Sequence, residues 1–276
     1  MTARPVRSRG TARVAATTAV APVAGIAVFG IVWELVVRLG DVKPYILRAP
    51  SDIVEYLGRA PGDFAAAAWI TTVHALTGFA LALVLALLVG AALASSPTLE
   101  RAAQPVLTLV QVTPFAAYIG AVVVWLGAGN APVLFITTLV CLPAFAFAAV
   151  AGLRSAEPAS RELFASVDAS VWQVLWRLRL PSALPSLFIT ARYNVGLALI
   201  AAYLVEGRNF ADDGLGAIGR RAESGNLADP LWATIFCMAL IGSVVLVLIS
   251  ALERVVLHWH ASQRHLGTRP HSGNLR

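Results

Sequence analysis

The chain has 276 residues, of which 58% are apolar or aromatic and only 13% carry charge, with a mean hydropathy of +0.74. A soluble domain carries about 25% charged residues, so a globular fold with a water-facing surface is excluded and lipid must solvate much of the chain. The net charge of +6 is not arranged as a basic stripe interleaved with aromatics, which excludes a nucleic-acid surface.

A spanning helix needs roughly 20 mostly apolar residues, and six runs qualify. The first covers residues 19–37, with Pro22 near its start, after a cytoplasmic tail at 1–18. It reads as an uncleaved anchor, because no small-residue cleavage pattern follows it before Arg38. Glu34 and Arg38 fall at i,i+4 and can pair as it leaves the membrane. Residues 41–70 form a hydrophilic external segment with a short amphipathic helix near 53–58. The second run is 71–94, where His74 reads as a satisfied helix-end histidine. The third is 105–126 and the fourth 133–153.

A hydrophilic loop follows at 154–186, then the fifth run at 187–205. A second external segment at 207–230 holds the turn residues Asp212, Asp213, Gly214 and Gly216. The sixth run is 231–257. The tail at 258–276 carries His258, His260, His265 and His271, read as solvated rather than as a metal cluster. Gly78, Gly90, Gly120, Gly196 and Gly242 lie within the runs, where small residues let helices approach closely. Cys141 and Cys237 lie in apolar runs without a spacing motif and act as small hydrophobes. Residues 19–257 are thus one transmembrane domain, and the fold class is all-α, polytopic, with about six spans.

Charge placement orients it. With both termini inside, thirteen Lys and Arg residues fall on cytoplasmic segments and seven outside, while Arg192 lies within the fifth run. That bias fits the positive-inside rule.

The 154–186 loop reads as two short helices. Pro158 suits a first helical position, and the first helix runs to about Val167. Asp168 fits the turn, where its short side chain can cap the next helix. Pro181 closes the second helix and Pro185 precedes the fifth run. Val171, Leu175 and Leu178 share one face at i, i+4 and i+7, with Trp172 and Trp176 beside it. Such a face packs either on the protein's own helix ends and the lipid interface or into a groove on a partner. Periodicity leaves both open.

From Glu162 through Asp168 and Ala169 to Leu180-Pro181, this stretch resembles the EAA loop of ATP-binding cassette importer permeases. That pattern is E-A-A, three residues, G, nine residues, I-x-L-P. Glu162, Leu180 and Pro181 match at its spacing, Leu178 stands for Ile, Leu163-Phe164 for the two alanines and Asp168 for Gly. Arg192, Gly196, Ala198 and Glu206 match the R-x-x-x-G-x-A and following glutamate of the branch that carries sulfonates, taurine, nitrate and thiamine precursors. Gly214-Leu215-Gly216 is similar to its external G-L-G, Pro105 and Pro114 to its spaced prolines, and Trp125-Leu126-Gly127 to its W-F-G. The resemblance implies a cytoplasmic coupling loop that seats on a separate ATPase, an extracytoplasmic binding protein, and a second permease copy or sister permease. A carboxylate at the glycine position adds negative charge to that docking surface.

No P-loop occurs, so ATP and Mg are expected on the partner and no cofactor on this chain. No H-E-x-x-H or G-x-S-x-G occurs either. Polar groups at membrane depth are the default candidates for a translocation path: Gln111 and Thr113 beside Pro114, then Asn194, Gly196 and Tyr203. Glu206 sits at the external end, where an interfacial carboxylate needs no special role. Its match to the branch pattern makes it a candidate too. The leading expectation is a permease subunit in the cell membrane. The alternatives are a secondary transporter, which would need buried ionisable groups for coupling, an intramembrane enzyme, and a non-transporting scaffold.

Overall fold

The computed structural model describes residues 9–208 and 214–258, with side chains from residue 21 onward. Asp212, Asp213, His260, His265 and His271 lie outside the described residues. The described residues form helices and connections without strands. These are α1 (Arg9–Leu39), α2 (Pro50–Arg59), α3 (Pro61–Ser95), α4 (Pro97–Val112), α5 (Phe115–Leu126), α6 (Asn130–Arg154), α7 (Pro158–Ser166), α8 (Val171–Val174), α9 (Leu180–Arg208), α10 (Gly214–Ser224) and α11 (Ala228–Val256). Proline opens α2, α3, α4 and α7, where its missing N–H costs nothing and its fixed φ favours the helix. Among the described residues five helices are long and apolar enough to cross a membrane, α8 and α9 counting as one, and α4 with α5 makes a sixth if that bent pair is one span.

Three expected boundaries move. The run at 105–126 is broken: α4 and α5 meet at 96° across Thr113-Pro114. Proline brings no N–H and pushes the residue before it out of the helical region, and Thr113 has ψ 125. α3 starts ten residues before the expected 71. Phe64 and Ala67 in its first turns pack with Ile53 of α2, making an apolar contact outside the main core. At 35 residues it is about 52 Å long, more than a hydrocarbon core of about 30 Å, so it projects beyond the bilayer. Pro181 does not close a helix. α8 widens into a π turn, Leu175–Arg179, and runs on into α9. The Leu180 N–H reaches Leu175 C=O across that wide turn, and Ser182 Oγ bonds Leu178 C=O at 2.7 Å, so the backbone around Pro181 stays satisfied.

The core is α3, α6 and α9. In α3, Gly78, Ala82, Ala86 and Gly90 recur every four residues along one face, with Ala82 and Ala86 fully buried. A Cβ on Gly78 would stand 2.6 Å from Thr137 Cβ, and one on Gly90 2.5 Å from Ala149 Cβ, so only hydrogen lets α3 and α6 meet there. In α9, Ala183, Ala191, Ala198 and Ala202 serve the same purpose, and Phe145 fills the remaining space. Without a hydrophobic drive between helices in lipid, this close contact is what holds them. Gly120 and Gly196 instead face open space, and Gly242 makes ordinary contact. The outer helices are α1 and α11, with 6% of each span buried against 56% for α6. α1 is held at one end, where Arg38 bonds Glu34 at 3.0 Å and Asp52 at 2.6 Å and Trp33 meets Trp232 edge-on.

Candidate functional site: an exposed segment at one end and a polar latch at the other

The segment after α6 is built on backbone chemistry. α7 ends in a Schellman motif, the Ala169 N–H bonding Phe164 C=O at 3.1 Å and the Asp168 N–H bonding Ala165 C=O at 3.2 Å. The residue that closes this motif must be left-handed, and Asp168 has φ 49. Glycine does this without strain, and aspartate is among the residues that tolerate it. Asp168 therefore shapes the turn and does not cap the next helix. Ser170 caps it: the Gln173 N–H bonds Ser170 Oγ at 3.3 Å, and Gln173 Oε1 accepts from the Ser170 N–H at 2.9 Å. That is a capping box.

The apolar face is not the expected one. Leu175 packs against the protein's own core, and Leu178 is half-buried. The outward face is Leu163 and Val167 of the first limb and Val171, Trp172 and Trp176 of the second, with Val171 87% exposed. Trp172 and Trp176 stack edge-on at 5.7 Å. Glu162 is exposed on α7, and Ala169, Leu180 and Pro181 are half-buried. The wide turn at 175–179 makes this face continuous with α9.

Arg154 ties this end together. Its guanidinium meets Glu100 of α4 at 2.5 Å and donates to the Leu93 and Ala94 carbonyls at the end of α3, at 3.1 and 3.4 Å. Arg161 of α7 donates to the carbonyls of Arg154 and Ala156.

The opposite end holds a buried carboxylate. Glu206 is 2% exposed. Its Oε2 accepts from Thr71 Oγ1 at 2.7 Å and from the Gly216 N–H at 3.1 Å, and its Oε1 lies 2.9 Å from His74 Nδ1. The Leu215 N–H bonds Thr71 Oγ1 at 2.9 Å. The first amides of α10 are thus held by a side chain of α9 and one of α3. Gly216 belongs to a helix rather than a turn, and a Cβ there would strike Tyr203 C=O. Glu206 is not an interfacial carboxylate. Three helices enclose it, and a buried polar group needs hydrogen-bond partners of this kind. His74 stands in the fourth turn of α3 rather than at its start, and Glu206 is its partner. Sequence reading missed the pairing, although Thr71 and His74 at i,i+3 share one face.

The path candidates separate into two sets. Gln111, Thr113 and Pro114 lie together and exposed at the α4–α5 break, and Gly196 is exposed on a stripe of α9 with Ile189, Tyr193 and Ile200. Asn194, Tyr203 and Glu206 turn inward: Asn194 Nδ2 donates to Cys141 C=O at 3.0 Å, and Tyr203 Oη lies 3.2 Å from Thr234 Oγ1. Arg192 pairs with Glu253, joining α9 to α11. Among the described residues no cluster of three or more His, Cys, Asp or Glu is placed to hold a metal ion.

Residues 82–258 match the family described as binding-protein-dependent transport system inner membrane component. The chain is 31% identical to the taurine transport system permease protein TauC of Escherichia coli, over 85% of this chain and 88% of that one. It is 30% identical to the formylaminopyrimidine transport permease protein ThiX of Halalkalibacterium halodurans, over 84% and 93%. Its fold is similar to a chain of the inward-facing MetNI methionine ABC transporter, with a TM-score of 0.61 and 19% identity, covering 76% of this chain and 99% of that one. A broken α4–α5 pair beside a tightly packed α3–α6–α9 core, with one exposed apolar segment running into α9, is therefore the form taken here by an ABC importer permease, and the chain belongs to the binding-protein-dependent transport system inner membrane component family.

Proposed function

We propose that this permease carries a small organic solute, a sulfonate- or taurine-like anion or a vitamin precursor, delivered by an extracytoplasmic binding protein. It forms the path with a second copy of itself or a sister permease, and a separate ATPase, docked on the outward face of residues 163–176 within the 154–186 loop, binds ATP and Mg and drives it. The observation that carries this reading is the outward face of Leu163, Val167, Val171, Trp172 and Trp176. It is apolar, and it joins α7, too short to span, to the start of the helix that continues into α9. A contact that relays motion must be fitted and rigid. The relatives named for taurine and formylaminopyrimidine support the solute class. The exposed Gln111 and Thr113 at the break, with Gly196 and Tyr193 on α9, supply polar groups and room for a path.

Co-expression with a cognate ATP-binding cassette ATPase and binding protein should give a complex in which proteoliposomes take up labelled taurine or formylaminopyrimidine only with ATP. Failure of the ATPase to co-purify would overturn the docking reading, and uptake of neither compound would overturn the solute class.

Both termini lie in the cytoplasm in this reading, supported by the Lys and Arg bias and by Arg154, Arg161, Arg177 and Arg179 gathered at the α7 end. Reporter fusions at Gly10 and Ser272 should report the cytoplasm and one at Asp213 the outside. A shared side for Asp213 and Ser272 would refute it.

A further inference from the structure

α4 is held only at its margins. None of its residues is buried. A cavity of about 160 Å³ lies between part of it and α6, lined by Glu100, Gln104, Leu107, Val150 and Arg154 among others, while Leu107 still packs on the core. What crosses that gap as a polar contact is the Glu100–Arg154 ion pair. The same guanidinium holds the last carbonyls of α3, and the Arg154 carbonyl receives Arg161 of α7. Arg154 therefore stands between the segment that carries the exposed face and α4. At its far end α4 stops at Thr113-Pro114, where the chain turns through 96° and Gln111 and Thr113 are exposed. A proline break is a mechanical joint, since the helix hydrogen bonds do not cross it. One end tethered, the other jointed and open space along the flank make α4 a lever.

We propose that Arg154 is a positioning residue that transfers displacement of the α7 segment to α4, which swings about Thr113-Pro114 and moves Gln111 and Thr113 at the solute path. This rests on the docking reading above. Motion entering through α7 then follows two routes: along the continuous α8–α9 backbone, and across the Arg161–Arg154–Glu100 series to α4. The second route runs through a half-exposed ion pair, with side chains 39% and 33% exposed, so it can be cut without opening the core.

The test uses the assembled permease–ATPase complex in proteoliposomes. A polarity-sensitive fluorophore is placed at Val106→Cys, an exposed position on α4, in a Cys237→Ser background. ATP with orthovanadate should shift its emission in the parent chain. Arg154→Gln and Glu100→Gln should each retain the ATPase and its basal hydrolysis, yet reduce the shift about fivefold or more, the lower end of an ordinary coupling between sites. The exchanged pair, Arg154→Glu with Glu100→Arg, restores the tether alone and should recover most of the shift. A parental shift in both single variants overturns the proposal. Loss in Arg154→Gln with a parental shift in Glu100→Gln also overturns it, because the role would then be to satisfy the α3 carbonyls. An ATPase that fails to bind even the parent chain would instead refute the docking reading.

Discussion

Val171→Asp is expected to abolish capture of the ATPase while leaving the permease folded and inserted. Val171 is the first residue of α8 and is 87% exposed. A carboxylate there sits in the first turn, where the helix dipole favours negative charge by about 0.3–1 kcal/mol. The Ser170–Gln173 capping box stays in place. Nothing inside the protein loses a contact. At a docked interface, however, the same carboxylate is desolvated without a partner, at a cost of several kcal/mol. About 3 kcal/mol corresponds to roughly a hundredfold weaker binding. Leu175→Asp would be a poor substitute, since Leu175 packs against the core and its loss would damage the permease itself. Co-purification of the ATPase with each variant from membranes checks this. Parental capture by Val171→Asp, with normal insertion, would move the docking surface elsewhere.

Glu206→Ala should be the most destabilising single change at the opposite end. It removes the carboxylate that accepts from Thr71 and Gly216 and pairs with His74. It leaves an amide and a ring nitrogen enclosed in a site where Thr71 is fully buried. Leaving a buried donor without its acceptor costs about 1–3 kcal/mol, and here more than one group is left so, because the remaining groups cannot return to water. Glu206→Gln keeps the shape and one acceptor oxygen, so it should recover part of the loss. Thermal inactivation in detergent, followed by size-exclusion chromatography after heating, reads the order: parent most stable, then Gln, then Ala. If Glu206→Ala matches the parent, α10 is held by its apolar contacts, with Leu215 at their centre, and the polar latch contributes little.

What could be read from the chain follows from the range of the forces involved. The apolar runs are properties of continuous sequence, so the spans near α1, α6, α9 and α11 are visible, as is the pairing of Glu34 with Arg38. The break at Thr113-Pro114 is not, because apolar residues continue on both sides and proline is tolerated inside membrane helices. Pro181 misled for the same reason: a π turn can absorb a proline that an α-helix would not. The i, i+4, i+7 pattern through Val171, Leu175 and Leu178 assumes regular α geometry. That holds from Val171 to Leu175, whose N–H bonds Val171 C=O. The wide turn at 175–179 shifts Leu178 out of register, and Leu175 lies where the core reaches it. The left-handed turn at Asp168 was foreseeable from its place opposite a family glycine. The role of Glu206 was hidden because its partners on α3 lie far away in sequence and have no local periodicity with it.

That sequence distance sets a timetable. Thr71 and His74 precede Glu206 by 135 and 132 residues, and a ribosome adds about 5–20 residues per second. During synthesis α3 therefore stands in the nascent bilayer for on the order of ten seconds before the carboxylate that completes its polar face has been made. The glycine face of α3 also waits for α6. A hydroxyl, an imidazole and a bare strip of backbone must meanwhile be sheltered by water at the membrane surface or by the insertion machinery. α6 thus meets the glycine face first, and the last core helix to emerge, α9, brings the carboxylate, so maturation of the protein ends in a late closure of its polar site.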